Sequence, residues 1–82
     1  MQIIKYGYKK NGRMEFLYDK FPQSKVLLSP IKGYLFVKSV RWNRDDPIVT
    51  REDLEEMEWL ANDIMGTLEF YESRKNARKQ IR

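Results

Sequence analysis

The residues able to do chemistry here are almost all carboxylates or cations. Asp45 and Asp46 stand side by side before Pro47, just ahead of Glu52, Asp53, Glu55, Glu56 and Glu58. Carboxylates at that density could ligate a hard cation such as Mg²⁺. Metal-assisted hydrolysis asks for more: a convergent carboxylate set with a lysine or other general base. No spacing in this chain resembles one, and Asp45-Asp46-Pro47 reads as a turn leading into a helix. The sequence has no cysteine and no histidine. A thiol nucleophile, a cysteine zinc site and a histidine base are therefore excluded. Nor is there a glycine-rich phosphate loop. The expectation is a protein that is not an enzyme, needs no cofactor or metal, and works through its surfaces.

Two surfaces carry cations. The first is basic and aromatic: Lys9, Lys10, Arg13, Arg41, Trp42 and Arg44, with Lys5 and Lys38 nearby and Tyr6, Tyr8 and Tyr34 interleaved. Lysine and arginine neutralise phosphates, and aromatic rings stack on unpaired bases. Arg41, Trp42 and Arg44 are its sharpest part, leaving a strand end together beside a polar loop. The competing reading spends the tyrosines as core and the lysines as a solvated face. The second is the tail, where Arg74, Lys75, Arg78, Lys79 and Arg82 recur at helical spacing. They suit a phosphate backbone or an acidic protein, although a basic last turn also compensates a helix dipole.

These residues must be positioned by one small domain. At 82 residues the chain has room for a single small core. Residues 1–47 read as a sheet region and 50–82 as one long helix with a basic tail. Charge is segregated to match: +6 over residues 1–50, −7 over 51–72 and +5 over 73–82, within a net +4. Each block could meet a different partner.

The sheet is expected from four strands forming two hairpins. Ile3 to Tyr8 and Arg13 to Tyr18 flank Asn11-Gly12, a strong hairpin signal. A two-residue turn would scatter apolar groups over both faces. A three-residue loop, Lys10 to Gly12 with Gly12 left-handed, pairs Tyr8 with Met14, Tyr6 with Phe16 and Ile4 with Tyr18. That gives one continuous apolar face, so the longer loop is expected. Asp19 to Ser24 reads as a connection, Lys25 to Ser29 as a third strand, and Pro30 to Gly33 as a turn. Tyr34 to Trp42 is the fourth strand. Leu35 and Val37 are assigned to one face and Phe36, Val40 and Trp42 to the other, which suggests a central position.

Thr50 is a good N-cap, with Asp53 three residues on, close to the capping-box pattern. Leu54, Met57, Ala61, Ile64, Leu68 and Tyr71 then recur at gaps of 3 and 4, the period of one helical face. The fold class expected is α+β, a four-stranded antiparallel sheet packed against one long C-terminal helix.

That helix would present a second face. Trp59, Gly66 and Phe70 project opposite the core stripe, as a docking strip where another backbone could come close. This supports two functional readings. One is a nucleic-acid-associated regulator binding DNA or RNA through the basic sheet residues and the tail. The other is a protein-interaction or inhibitor module using Trp59, Gly66, Phe70 and the acidic helix body, the simplest partner being a second copy in a homodimer. The longest apolar run is Tyr34 to Val37, too short to span a bilayer. No membrane partner and a cytoplasmic location are expected.

Overall fold

The structure, a computed structural model, describes the backbone of residues 1–80 and the side chains of residues 1–75. Four strands form an antiparallel meander in the order β1-β2-β3-β4: β1 (Ile3–Tyr8), β2 (Met14–Tyr18), β3 (Phe21–Ile31) and β4 (Tyr34–Arg41). Two helices come after them, α1 (Arg51–Met65) and α2 (Leu68–Gln80). The α+β class stands. The expected single helix is two, and the expected pair of hairpins is three in succession.

The β1–β2 loop has the expected length. Asn11 and Gly12 are both left-handed, at φ 63° and 74°, and Tyr8 faces Met14 while Tyr6 faces Phe16. The apolar pattern therefore does set the register. The last pair differs: Ile3, not Ile4, faces Tyr18, because a bulge falls between Ile3 and Lys5. The expected connection at Asp19 to Ser24 is only the two-residue turn Asp19-Lys20. Phe21 already belongs to β3, fully buried opposite Tyr18. Pro22, which cannot donate to a ladder, sits where the β2–β3 register shifts. At the other end of β3, Lys32 (φ 46°) and Gly33 (φ 88°) make a tight turn with both residues left-handed.

Strand β4 is an edge, not central. Its mixed pattern comes from a bulge: Leu28 faces Val37 while Leu27 faces Ser39, leaving Lys38 as the extra residue. Side-chain alternation resets there. Val40 consequently joins Leu35 and Val37 on the inner face, and Phe36 and Tyr34 lie on the outer one. The inner face carries the core of Met14, Phe16, Tyr18, Phe21, Val26, Leu28 and Leu35, closed by Met57 and Ala61 of α1.

The α1 N-terminus is capped as expected. Asp53 N–H donates to Thr50 Oγ1 (3.1 Å), and Thr50 N–H donates to Asp53 Oδ2 (2.9 Å). Lys20 Nζ, from the β2–β3 turn, reaches Asp53 Oδ1 at 2.8 Å. The helix then lies along the β4 edge with two polar side chains one turn apart. Asn62 Oδ1 accepts from Leu35 N–H (2.8 Å) and Asn62 Nδ2 donates to Leu35 C=O (2.9 Å). Glu58 Oε2 accepts from Val37 N–H (2.8 Å). These are the groups an edge strand otherwise leaves unpaired. Inside the core, Tyr18 Oη donates to the Met57 carbonyl at 2.7 Å. Burial raises the Tyr18 phenol well above its ordinary pKa, and the Glu58 charge adds to this.

Gly66, at φ 76°, ends α1. Gly66 N–H donates to the Asp63 carbonyl (3.2 Å) and Thr67 N–H to the Asn62 carbonyl (2.9 Å), the paired bonds of a Schellman motif. The chain then turns back, so that Lys75 of α2 reaches Glu55 of α1 at 3.4 Å. The expected core stripe is correspondingly altered. Met57, Ala61 and Tyr71 are buried and Leu54 and Leu68 partly so, but Ile64 is exposed. Basic residues expected to compensate one helix dipole belong to α2, and α1 has none in its last turn.

Two outcomes check this arrangement. Asn62→Leu strands the Leu35 N–H and C=O and should cost about 3 kcal/mol in urea unfolding. Asp53 ionises against the desolvation of its buried site, and the bonds from Lys20 and Thr50 outweigh that and lower its pKa below the ordinary 3.8. A depressed carboxyl contributes stability that is complete above the unfolded value and is lost as pH falls through the folded one. Thermal melts should therefore weaken below about pH 4, and Asp53→Asn should flatten that acid limb.

Candidate nucleic-acid interface

Because α1 covers the inner face and the β4 edge, the outer face of the sheet remains open over β1, β2 and β3. Its composition is set by register and period-two alternation. One row across the strands is Lys5, Leu17, Lys25 and Arg41, with Lys5 facing Leu17 and Lys25 facing Arg41. The next row is Gly7, Glu15, Leu27 and Ser39. The third is Lys9, Arg13, Ser29 and Phe36. The open face thus holds five cations and one carboxylate, Glu15, which Lys9 Nζ approaches at 3.7 Å. A shallow cleft of about 200 Å³ lies among Lys5, Gly7, Lys9, Glu15, Leu17 and Lys25.

At the β4 side, α2 folds over the same face. Tyr71 packs against Tyr34 with ring centroids 5.9 Å apart, and its hydroxyl donates to Glu58 Oε1 at 3.0 Å. Between them opens a cavity of about 390 Å³, lined by Ile31, Tyr34, Phe36, Glu58, Tyr71 and Arg74 among others. It has an aromatic floor, a half-buried Phe36 and a guanidinium at its rim. Such a recess can hold a planar ring beside a neutralised anion.

The sequence-derived sites are dispersed over the molecule. Lys9, Arg13 and Arg41 share the outer face. Lys10 lies in the β1–β2 loop at one end of the sheet, and Arg44 lies in the loop after β4 at the other. Arg74 and Lys75 border the aromatic cavity. The side chains of Arg78 and Lys79, and all of Arg82, lie outside the described residues. Trp42 parts company with Arg41: alternation turns it to the inner side, where its Nε1 donates to the Pro47 carbonyl (2.8 Å) and its ring lines an apolar cleft with Val40, Ile48, Val49 and Leu54. Lys25 belongs to the face and is absent from the expected set. It already fell in the expected third strand, where alternation with Val26 and Leu28 assigns it to the outer side.

The three residues of the expected docking strip do not lie along one helix. Trp59 is 42% exposed in α1 and Gly66 ends that helix. Phe70, 58% exposed in α2, lies over the β3–β4 turn, close enough that a Cβ on Gly33 would meet its ring at 3.6 Å. Asp46 is structural: its Oδ2 accepts from Ser24 Oγ (2.6 Å) and Gln23 N–H (2.9 Å), pinning the loop before α1 to β3. Asp45 N–H donates to Asn43 Oδ1 in a local turn. Among the described residues, no three acidic side chains are grouped to hold a metal ion, and no helix is long and apolar enough to cross a membrane.

No curated protein and no solved structure matches the chain. One protein-family model does, described as "Uncharacterised protein YuzH", and its match runs over residues 2–76, from the start of the sheet into α2. On that match, the chain belongs to the YuzH family.

Proposed function

We propose that this protein is a small non-enzymatic regulator that binds single-stranded nucleic acid across the open outer face of its sheet. The observation that supports this most is the row Lys5, Lys25 and Arg41, joined by Lys9 and Arg13 on a face with one carboxylate. Phosphates would be neutralised along that row, and an unpaired base would stack on Phe36 in the cavity that Arg74 borders. The acidic residues of α1 favour one orientation. Glu52, Glu56 and Asp63 are exposed on α1, and Glu55 and Glu58 line the cavity beside Phe36, so a phosphate is favoured over β1 to β3 and not inside that cavity. A cysteine-free chain of this kind is read as cytoplasmic, with DNA and RNA both as candidate ligands.

The test is fluorescence anisotropy with mixed-sequence single-stranded DNA, single-stranded RNA and duplex DNA, between about 50 and 200 mM salt. Single strands should bind more tightly than duplex, and more weakly as salt rises. The double variant Lys25→Glu with Arg41→Glu should weaken binding at least about tenfold and reduce the salt slope by about 1.4. Trp42→Ala should leave affinity unchanged. No binding at low salt, or a Trp42 effect larger than that of the double variant, defeats the reading.

A further inference from the structure

The two edges of the sheet are treated differently. The β4 edge is covered by Asn62 and Glu58. Among the described residues nothing covers the β1 edge, and every residue from Ile4 to Tyr8 is exposed. Which backbone groups it offers can be deduced. Lys9 N–H donates to the Arg13 carbonyl at 2.7 Å, which makes Lys9/Arg13 a hydrogen-bonded pair. In an antiparallel ladder such pairs alternate. Gly7/Glu15 and Lys5/Leu17 are then bonded inward, and the N–H and C=O groups of Tyr6 and Tyr8 point out of the sheet.

Three further features of the strand bear on a second chain, although Tyr6 also stacks on Phe16 with ring centroids 5.3 Å apart and a bulge by itself also blunts a sheet edge. Tyr6 and Tyr8 remain 46% and 71% exposed on the apolar side of the sheet. Gly7 interrupts the strand between them, although it needs no left-handed φ and a Cβ there would meet nothing within 4 Å. A glycine in a strand interior weakens the strand, and it often marks the close approach of a second backbone. The regular part of β1 is also short, because the bulge between Ile3 and Lys5 ends it.

We propose that β1 pairs antiparallel with β1 of a second copy, about a two-fold axis through Gly7. In this register Tyr6 faces Tyr8 of the other copy and Tyr8 faces its Tyr6. All four free backbone groups on each chain are then used within the regular segment. The cross-strand tyrosine pairs bury the exposed rings, and the two glycines meet where facing strands come closest. A register shifted toward Tyr6 would need the bulged Ile4. The axis is perpendicular to the sheet, so both outer faces look the same way and form one eight-stranded basic surface. Lys5 falls opposite Lys9 of the other copy, although Glu15 beside each Lys9 tempers the repulsion. This pairing rests on the strand edge alone and stands apart from the nucleic-acid reading.

The pairing has a salt signature opposite to that of phosphate binding: association should strengthen as salt screens the lysines. Amide hydrogen exchange on the full chain, without nucleic acid, reads it directly. Protection of the Tyr6 and Tyr8 amides should rise with protein concentration, while the Lys9 amide, already bonded to Arg13, should not change. Light scattering should show the mass doubling over the same range. Tyr8→Pro deletes a donor that points away from β2, and should keep the circular dichroism spectrum while remaining monomeric. If that variant does not fold, Tyr8→Lys, which leaves the backbone intact, should weaken association at least tenfold. The proposal is overturned by a wild-type chain that is still monomeric at about 1 mM. It is overturned equally by Tyr6 and Tyr8 amides that stay unprotected, or by a folded Tyr8 variant that associates as the wild type does.

Discussion

The fold depends on the side-chain amide of Asn62 meeting the backbone of Leu35. A helix beside a sheet usually packs over its face, where apolar area sets the contact and some sliding is tolerated. Here α1 is held at the strand edge by a bidentate bond, which fixes both its position along β4 and its rotation. Asn62 is fully buried, and every polar atom of its side chain is used: Nδ2 also donates to the Glu58 carbonyl, and Oδ1 also accepts from Thr67 Oγ1. A buried amide satisfied in this way specifies one arrangement, since any shift strands several groups at once. Thr67 ties that network to the break at Gly66, and Tyr71 ties Glu58 to α2. The edge cover, the helix turn and the placement of α2 form one connected unit.

Covering the edge decides what is left uncovered. With α1 committed to the inner face and β4, the outer face over β1 to β3 stays open, and the sequence loads it with cations. The exposed Glu52, Glu56 and Asp63 belong to α1, while Glu55 and Glu58 of the same helix line the cavity beside Phe36. The cations over β1 to β3 are therefore the part of the molecule on which the proposed function rests. Strand β1 pairs with β2 on one side, and among the described residues nothing covers its other edge.

The parts of this architecture written in local pattern were legible in the sequence. Thr50 and Asp53 announced the cap, and the alternation of Tyr6, Tyr8, Met14 and Phe16 announced a three-residue loop. The parts that were not legible involve groups whose role is set by tertiary contact. Asn62 reads as an ordinary polar residue in a helix, and nothing local says that its amide will meet a strand edge. Gly66 stands out in the sequence, but a mid-helix glycine and a C-cap glycine differ only in how the next residues bond. Here Thr67, bonding back to Asn62, makes the difference. The bulge at Lys38 put Val40 on the inner face and Arg41 on the outer one, because an extra residue in a strand inverts every later side chain. Trp42 is the next residue after Arg41, so alternation sends it to the opposite face with or without the bulge. Family membership over residues 2–76 says that others share this chain's pattern, and it adds no activity.

The most direct measurement is a two-dimensional NMR titration of the isotope-labelled protein with a mixed-sequence single-stranded oligonucleotide at low salt. The amides of Lys5, Lys25, Phe36 and Arg41 should move together, and those of Trp59, Asp63 and Ile48 should stay in place. Shifts confined to α1 or to the cleft beside Trp42, or no shifts at all, would contradict the assignment of function to the open face of the sheet.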